Sequence, residues 1–290
     1  DPATVGAVVK ALESTPGVAS TLPTSGMMPL VALDKKLFTD GVTAVIVYPT
    51  TSPADPATAQ LLDRIRSTTT AEVTRATGAS IYVGGAQAVA TDFTTVLAGA
   101  LPIFLLVVVG FGFLALMLLF HSLVIPLTAA ITSLLSFGAS LGITVAVFQL
   151  GMGDNALGVS GTGPILPFLP IMVFAILFGL SMDYQVFLVT RMKETWDRDG
   201  DNRDAVRLGL AGSGKVVVAA ATIMASVFLA FVTSSNGTIK MFGVALAAAV
   251  LVDAFLVRLV LVPSVMTLLG RANWWLPRWL SRMLPTIHLD

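Results

Sequence analysis

The sequence predicts a polytopic α-helical membrane protein, five transmembrane helices preceded by an N-terminal α+β domain. Three observations predict it. Hydrophobic residues make up 55% of the 290 positions and charged residues only 12%, about half the charged share of a soluble domain, and mean hydropathy is +0.87. No Lys or Arg occurs between Arg75 and Arg191, and a soluble fold would not leave its middle third without cations. Five stretches reach the roughly 20 apolar residues a bilayer core requires: near 98–120, 124–149, 167–190, 216–235 and 241–269.

Residues 1–92 carry the polar composition and read as alternating helix and strand. Asp1-Pro2 is an N-cap followed by proline at the first helical position, opening a helix to about Glu13. Residues 17–22 and 42–48 have strand composition. Asp55-Pro56-Ala57-Thr58 repeats the opening Asp1-Pro2-Ala3-Thr4 and starts a second helix to about Ala76, followed by a strand at 79–84. The order predicts a ferredoxin-like (split βαββαβ) unit lacking its first strand, which is expected upstream.

The bundle occupies 93–269. His121-Ser122-Leu123 makes a tight hairpin of the first two spans, and 191–215 is a charged loop in which 201–214 reads as an amphipathic cytoplasmic helix. The 121–123 turn, the 191–215 loop and the tail 270–290 fall on one side with nine Lys/Arg, whereas 150–166 and 236–240 on the other hold only Lys240. The positive-inside rule puts the first set in the cytoplasm and the N-terminal domain outside. The tryptophans of Asn273-Trp274-Trp275-Leu276-Pro277-Arg278-Trp279 read as interfacial anchors.

Composition excludes much chemistry. Net charge is zero and there is no cysteine, so nothing points to nucleic acid, and disulfides and thiolate chemistry are absent. His121 and His288 stand alone, which supports no metal site. Residues 209–215 (GLAGSGK) match a phosphate loop up to its seventh position, but Val216 replaces the magnesium-binding hydroxyl and the segment leads from a helix into a span.

Two acids lie inside spans, Asp183 and Asp253. A carboxylate facing lipid costs a few kcal/mol on insertion scales, so such acids are expected to face protein. Low dielectric disfavours the charged form, which reads either as a proton-exchanging group or as neutral hydrogen-bond glue between helices. Gly179 and Ala249 precede the two acids by one turn and are expected to admit a neighbouring helix closely. Tyr184 points about 100° away from Asp183 and should seek a partner on another helix. Arg258, five residues after Asp253, falls on a different face, where it either snorkels to the surface or serves as counter-charge to another helix.

At Gly179-Leu180-Ser181-Met182-Asp183-Tyr184 the sequence resembles the C-terminal half of the MMPL family of the resistance–nodulation–division superfamily. Phe120-His121-Ser122-Leu123 with Pro126-Leu127, Val257-Arg258-Leu259-Val260-Leu261-Val262-Pro263 and Leu269-Gly270-Arg271-Ala272-Asn273-Trp274-Trp275-Leu276-Pro277 carry it along the chain. His121 departs from the family's usual arginine. The resemblance implies a porter subdomain, then the last five helices of a proton-motive-force-driven exporter of lipids or other hydrophobic molecules in the inner (cytoplasmic) membrane. In the family an Asp-Tyr pair from each half meets at mid-membrane and relays protons. Asp183 and Tyr184 match the second pair, and Asp253 and Arg258 match polar positions of the last helix. Implied partners are the bilayer, an N-terminal half and a hydrophobic substrate; no cofactor beyond the proton gradient is implied. A lipid or sterol sensor that does not transport and a protein-translocation auxiliary of the same superfamily remain alternatives.

Overall fold

In the computed structural model the described residues are 2–28, 42–53, 55–153, 157–158 and 163–282. They divide into two units, 1–96 and 97–290. In the first, α1 (Pro2–Glu13) leads into β1 (Val18–Leu22), which pairs antiparallel with β2 (Ile46–Pro49), Leu22 opposite Ile46. Asp55 caps α2 (Pro56–Arg64), accepting from the Ala57 N–H at 2.8 Å. A π-helical turn, Ile65–Thr69, joins it to α3 (Thr70–Thr77), which stops at Gly78 with φ 72°. That left-handed cap suits glycine, which has no Cβ to clash. Leu12, Leu61 and Ile65 form the small core, with Val18, Val45, Val47 and Val83 against it.

Two expectations fail in this unit. Residues 79–84 are not a strand and 42–45 extend no ladder, leaving two strands among the described residues. Strand composition alone does not make a strand, because the ladder needs a partner edge. The split βαββαβ unit is therefore not evident here. Asp1 and His288 lie outside the described residues.

In the second unit the chain runs through helices long and apolar enough to cross a membrane. The first, α4 (Ala86–Phe120), begins in the preceding unit. The others are α5 (Val124–Phe148), α6 (Leu169–Asp199), α7 (Asn202–Val232) and a composite last helix from Gly237 to Trp274. In that last helix α8 (Gly237–Leu251) passes without a break through a π-helical stretch, Val252–Leu261, into α9 (Val262–Leu269). The predicted amphipathic helix at 201–214 is the opening of α7 itself. Its buried positions Asn202, Ala205, Val206, Gly209, Ser213 and Val217 continue through the apolar part to Ala221 and Ala225 as one stripe, so nothing breaks the helix. Residues 209–215 thus form helix rather than a phosphate loop.

Small residues bring the helices together. A Cβ at Gly209 would meet the backbone of Met192 on α6, and one at Gly243 would stand 2.9 Å from the Phe228 carbonyl oxygen on α7. Such approaches replace the hydrophobic drive that lipid does not supply. Phe174 packs edge-on against Phe137 at 5.1 Å and stacks on Phe178 at 5.4 Å. Leu106, Phe111, Ile131 and Leu135 face outward on α4 and α5, as lipid contact requires.

At one end of the bundle the tail is tied to the helices. The buried Asn273 side chain donates to the Met266 carbonyl at 2.5 Å, the Gly270 carbonyl at 2.7 Å and Asn202 Oδ1 at 3.3 Å. Ser122 in the α4–α5 turn donates to the Asn273 carbonyl at 2.5 Å. Trp274 donates to Asn202 Oδ1 at 3.1 Å and stacks on Trp196 at 5.6 Å. Trp274 is thus bound into the bundle end rather than standing as a free anchor, while Trp275 and Trp279 are exposed.

Candidate functional site

The site is built on α6. Proline at its start removes an N–H that the first turn leaves unpaired anyway, and Gly200 with φ 67° ends it. Val173, Leu177, Ser181, Gln185, Leu188 and Met192 line its buried face at helical spacing. Asp183 lies two residues from Ser181 and from Gln185, about 200° around the helix from each, and is exposed on the opposite face. Tyr184 is half-buried beside it. A shallow groove of about 380 Å³ runs from Asp183 past Phe187 and Thr190 to Arg191 and Glu194, where Arg191 Nη1 meets Glu194 Oε2 at 3.1 Å. Among the described residues no hydrogen-bond or ion-pair partner faces the Asp183 carboxyl.

Asp253 and Arg258 are the reverse. Both are buried, at 2% and 0% exposure. Arg258 Nε donates to Asp253 Oδ2 at 3.4 Å, Nη1 to Gln185 Oε1, and Nη2 to Ser181 Oγ and, at 3.5 Å, to Ser133 Oγ. Asp253 Oδ1 accepts from Ser136 at 3.0 Å and from Ser181 at 3.2 Å. One carboxylate and one guanidinium thus join α5, α6 and the last helix, each charge meeting the other and a shell of hydroxyls, as a charge in low dielectric requires. Gln185 Nε2 has no partner among the described residues.

The five-residue spacing that set Arg258 apart from Asp253 brings them together, which corrects the sequence expectation. In an α-helix five residues end about 140° away. Here the backbone is π-helical, with the Val262 N–H donating to the Val257 carbonyl, and a bond that spans five residues returns the fifth side chain to nearly the same face. Arg258 does not snorkel. It is one of the largest fully buried side chains.

The small residues also part company. Ala249 is fully buried in the cluster of Phe137, Phe174 and Leu177. A Cβ at Gly179 would meet open space, so among the described residues no neighbouring helix approaches there. Ser133, Ser136, Ser181 and Gln185 were missed by sequence reasoning. The signal was available: hydroxyls at Ser133, Ser136, Ser140 and Thr144 recur at helical spacing along α5 and all are buried.

Residues 2–286 match the model of the MMPL family. The chain is 42% identical over 246 residues to membrane protein YdfJ of Bacillus subtilis, covering 85% of this chain and 33% of that protein. It is 34% identical over 289 residues to the mycolic acid-containing lipids exporter MmpL11 of Mycolicibacterium smegmatis (99% and 29%). To the heme uptake protein MmpL11 of Mycobacterium tuberculosis it is 40% identical over 212 residues (73% and 22%). The chain thus spans a third or less of the length of these curated relatives. With the motif around Asp183 and Tyr184 embedded in a match that runs almost from end to end, the chain belongs to the MMPL family.

Proposed function

We propose that this chain is the C-terminal half of a proton-motive-force-driven exporter of lipids or other hydrophobic molecules. Asp183 and Tyr184 act as one side of a proton relay, and Asp253 with Arg258 extends the polar network behind it. The carrying observation is the placement of Asp183. An acid at membrane depth with no partner among the described residues would cost a few kcal/mol against lipid, and that cost is relieved when the exposed face of α6 meets a second helical half. The unpartnered Gly179 on the same face fits such an approach. Lipid as cargo follows the relative named as a mycolic acid lipid exporter, while the relative named for heme uptake keeps the class at hydrophobic molecules. The first unit is the porter subdomain on the outer side, its sheet completed by strands from elsewhere in the protein. The basic loop and tail lie in the cytoplasm under the positive-inside rule.

The test is lipid transport by the full-length protein in vesicles under an imposed pH gradient. Asp183→Asn should abolish gradient-driven transport without releasing the protein from the membrane. A variant that transports at the normal rate would remove the relay and favour a sensor in which the polar residues only hold helices together.

A further inference from the structure

We propose that Gln185 is a positioning residue for the Asp183–Tyr184 pair, fixing the rotation of α6 about its own axis through its bond to the buried Arg258. The inference rests on the relay reading above and deepens it. Ser181 and Gln185 are one helical turn apart on the buried face, and the pair lies between them in sequence. Both accept from the same guanidinium, Ser181 from Nη2 and Gln185 from Nη1. The turn that carries the relay is therefore pinned at both ends from behind.

That pinning is needed because of where the helix sits. Along the rest of the buried face Val173, Leu177, Leu188 and Met192 are apolar, and the Thr195 hydroxyl turns to the Arg191 carbonyl of its own helix; lipid tails satisfy apolar side chains about as well as protein does. Apolar packing alone leaves rotation about the axis weakly defined. Hydrogen bonds from a charged, planar donor are directional. Arg258 is itself held by Asp253 and by the π-helical backbone beneath it, so the reference point does not drift. A rotation of α6 that moved Asp183 toward the bundle would have to break the bonds of Ser181 and Gln185.

The Gln185 amide is used on one side only. Its Oε1 meets Arg258, and its Nε2 is buried without a partner among the described residues. A residue kept only to fill space would leave no donor stranded in the bundle; the acceptor oxygen is the part that serves. It follows that Gln185→Glu keeps the function-bearing atom, whereas Gln185→Met keeps the size and loses it.

The experiment uses the full-length protein in lipid vesicles, with two readouts: gradient-driven lipid transport, and the infrared carboxyl band that disappears in Asp183→Asn. Gln185→Met should lower the maximal transport rate about tenfold, the worth of one hydrogen bond to a charged group, with the substrate KM unchanged and the Asp183 band shifted. Gln185→Glu should return the band and most of the rate. Ser181→Ala, which loosens the other end of the turn, should shift the same band, and it serves as the second variant if Gln185→Met does not fold. A Gln185→Met protein with a normal rate, or with a reduced rate and an unmoved Asp183 band, overturns the inference while the relay reading stands. Normal transport by Asp183→Asn overturns the relay reading, and this inference falls with it.

Discussion

The two acids of the membrane helices differ in how they are partnered. Asp253 is enclosed, with Arg258, Ser136 and Ser181 on its oxygens. Asp183, on a helix packed beside it, is exposed and has no partner among the described residues. The small residue one turn before each repeats the contrast, Ala249 buried and Gly179 facing open space. An intramembrane acid does not announce its role by its presence. What separates a charge that belongs to the fold from one that belongs to an interface is where its countergroups come from.

The largest expected effect tests that separation directly. Arg258→Met leaves Asp253 buried and unpaired, and should destabilise the protein by about 3–5 kcal/mol. Joining Asp253→Leu to it should recover a large part, since a buried pair replaced by apolar side chains is often neutral. Asp183→Asn removes a carboxyl with no partner to lose among the described residues and should not destabilise the protein. Thermal unfolding in detergent measures all three, and an Asp183→Asn loss comparable to Arg258→Met would break the comparison.

The glycines sharpen it at a smaller scale. Gly243→Ala places a methyl 2.9 Å from the Phe228 carbonyl oxygen and 3.0 Å from the Val232 nitrogen, which is backbone that cannot swing aside, and should cost about 1–3 kcal/mol. Gly179→Ala meets nothing and should stabilise this chain by about 0.5–1 kcal/mol, the usual gain of alanine over glycine in a helix. In the full-length protein the same change should lose that gain if a second half packs there. Unfolding of the two forms side by side reads the difference.

The spans were legible because each is a predominantly apolar run of bilayer length, and Asp183 and Asp253 because they are the acids inside such runs. The pairing of Asp253 with Arg258 was not, since α-helical arithmetic separates residues five apart and no composition signal marks where a helix changes to π pitch. Gln185 was hidden by its neighbours, a neutral side chain beside a carboxylate and a phenol. The strand at 79–84 was misread for the opposite reason: β-branched and aromatic residues supply preference, and pairing supplies the strand. Trp274 was read with the other tryptophans, although the asparagine before it, buried and bonded three ways, is what turns it inward.

Asn273→Ala should cost about 1–3 kcal/mol by removing three buried contacts, to the Met266 and Gly270 carbonyls and to Asn202 Oδ1, although the Met266 carbonyl keeps the Asn202 amide at 2.9 Å. The effect should be smaller than that of Arg258→Met because no charge is left behind, and the melting temperature of the two variants ranks them. The smallest effect lies in the first unit. The Glu13 carboxyl accepts from the Ser25 N–H at 2.9 Å and from Thr21 at 3.1 Å. Hydrogen bonding from Ser25, side chain first and backbone second, holds it below the ordinary carboxylate range despite a small opposing effect of burial. A carboxyl with a lowered folded-state value favours folding above its unfolded value, and this support is lost as pH falls through the lowered one. Stability of this unit should therefore decline on acidification, and Glu13→Gln should flatten that slope slightly. Because Glu13 is open to water the change will be slight. If acidification left Glu13→Gln and the parent with equal slopes, the contact would be geometric only, a surface counterpart to the exposed ion pairs that contribute little to the fold.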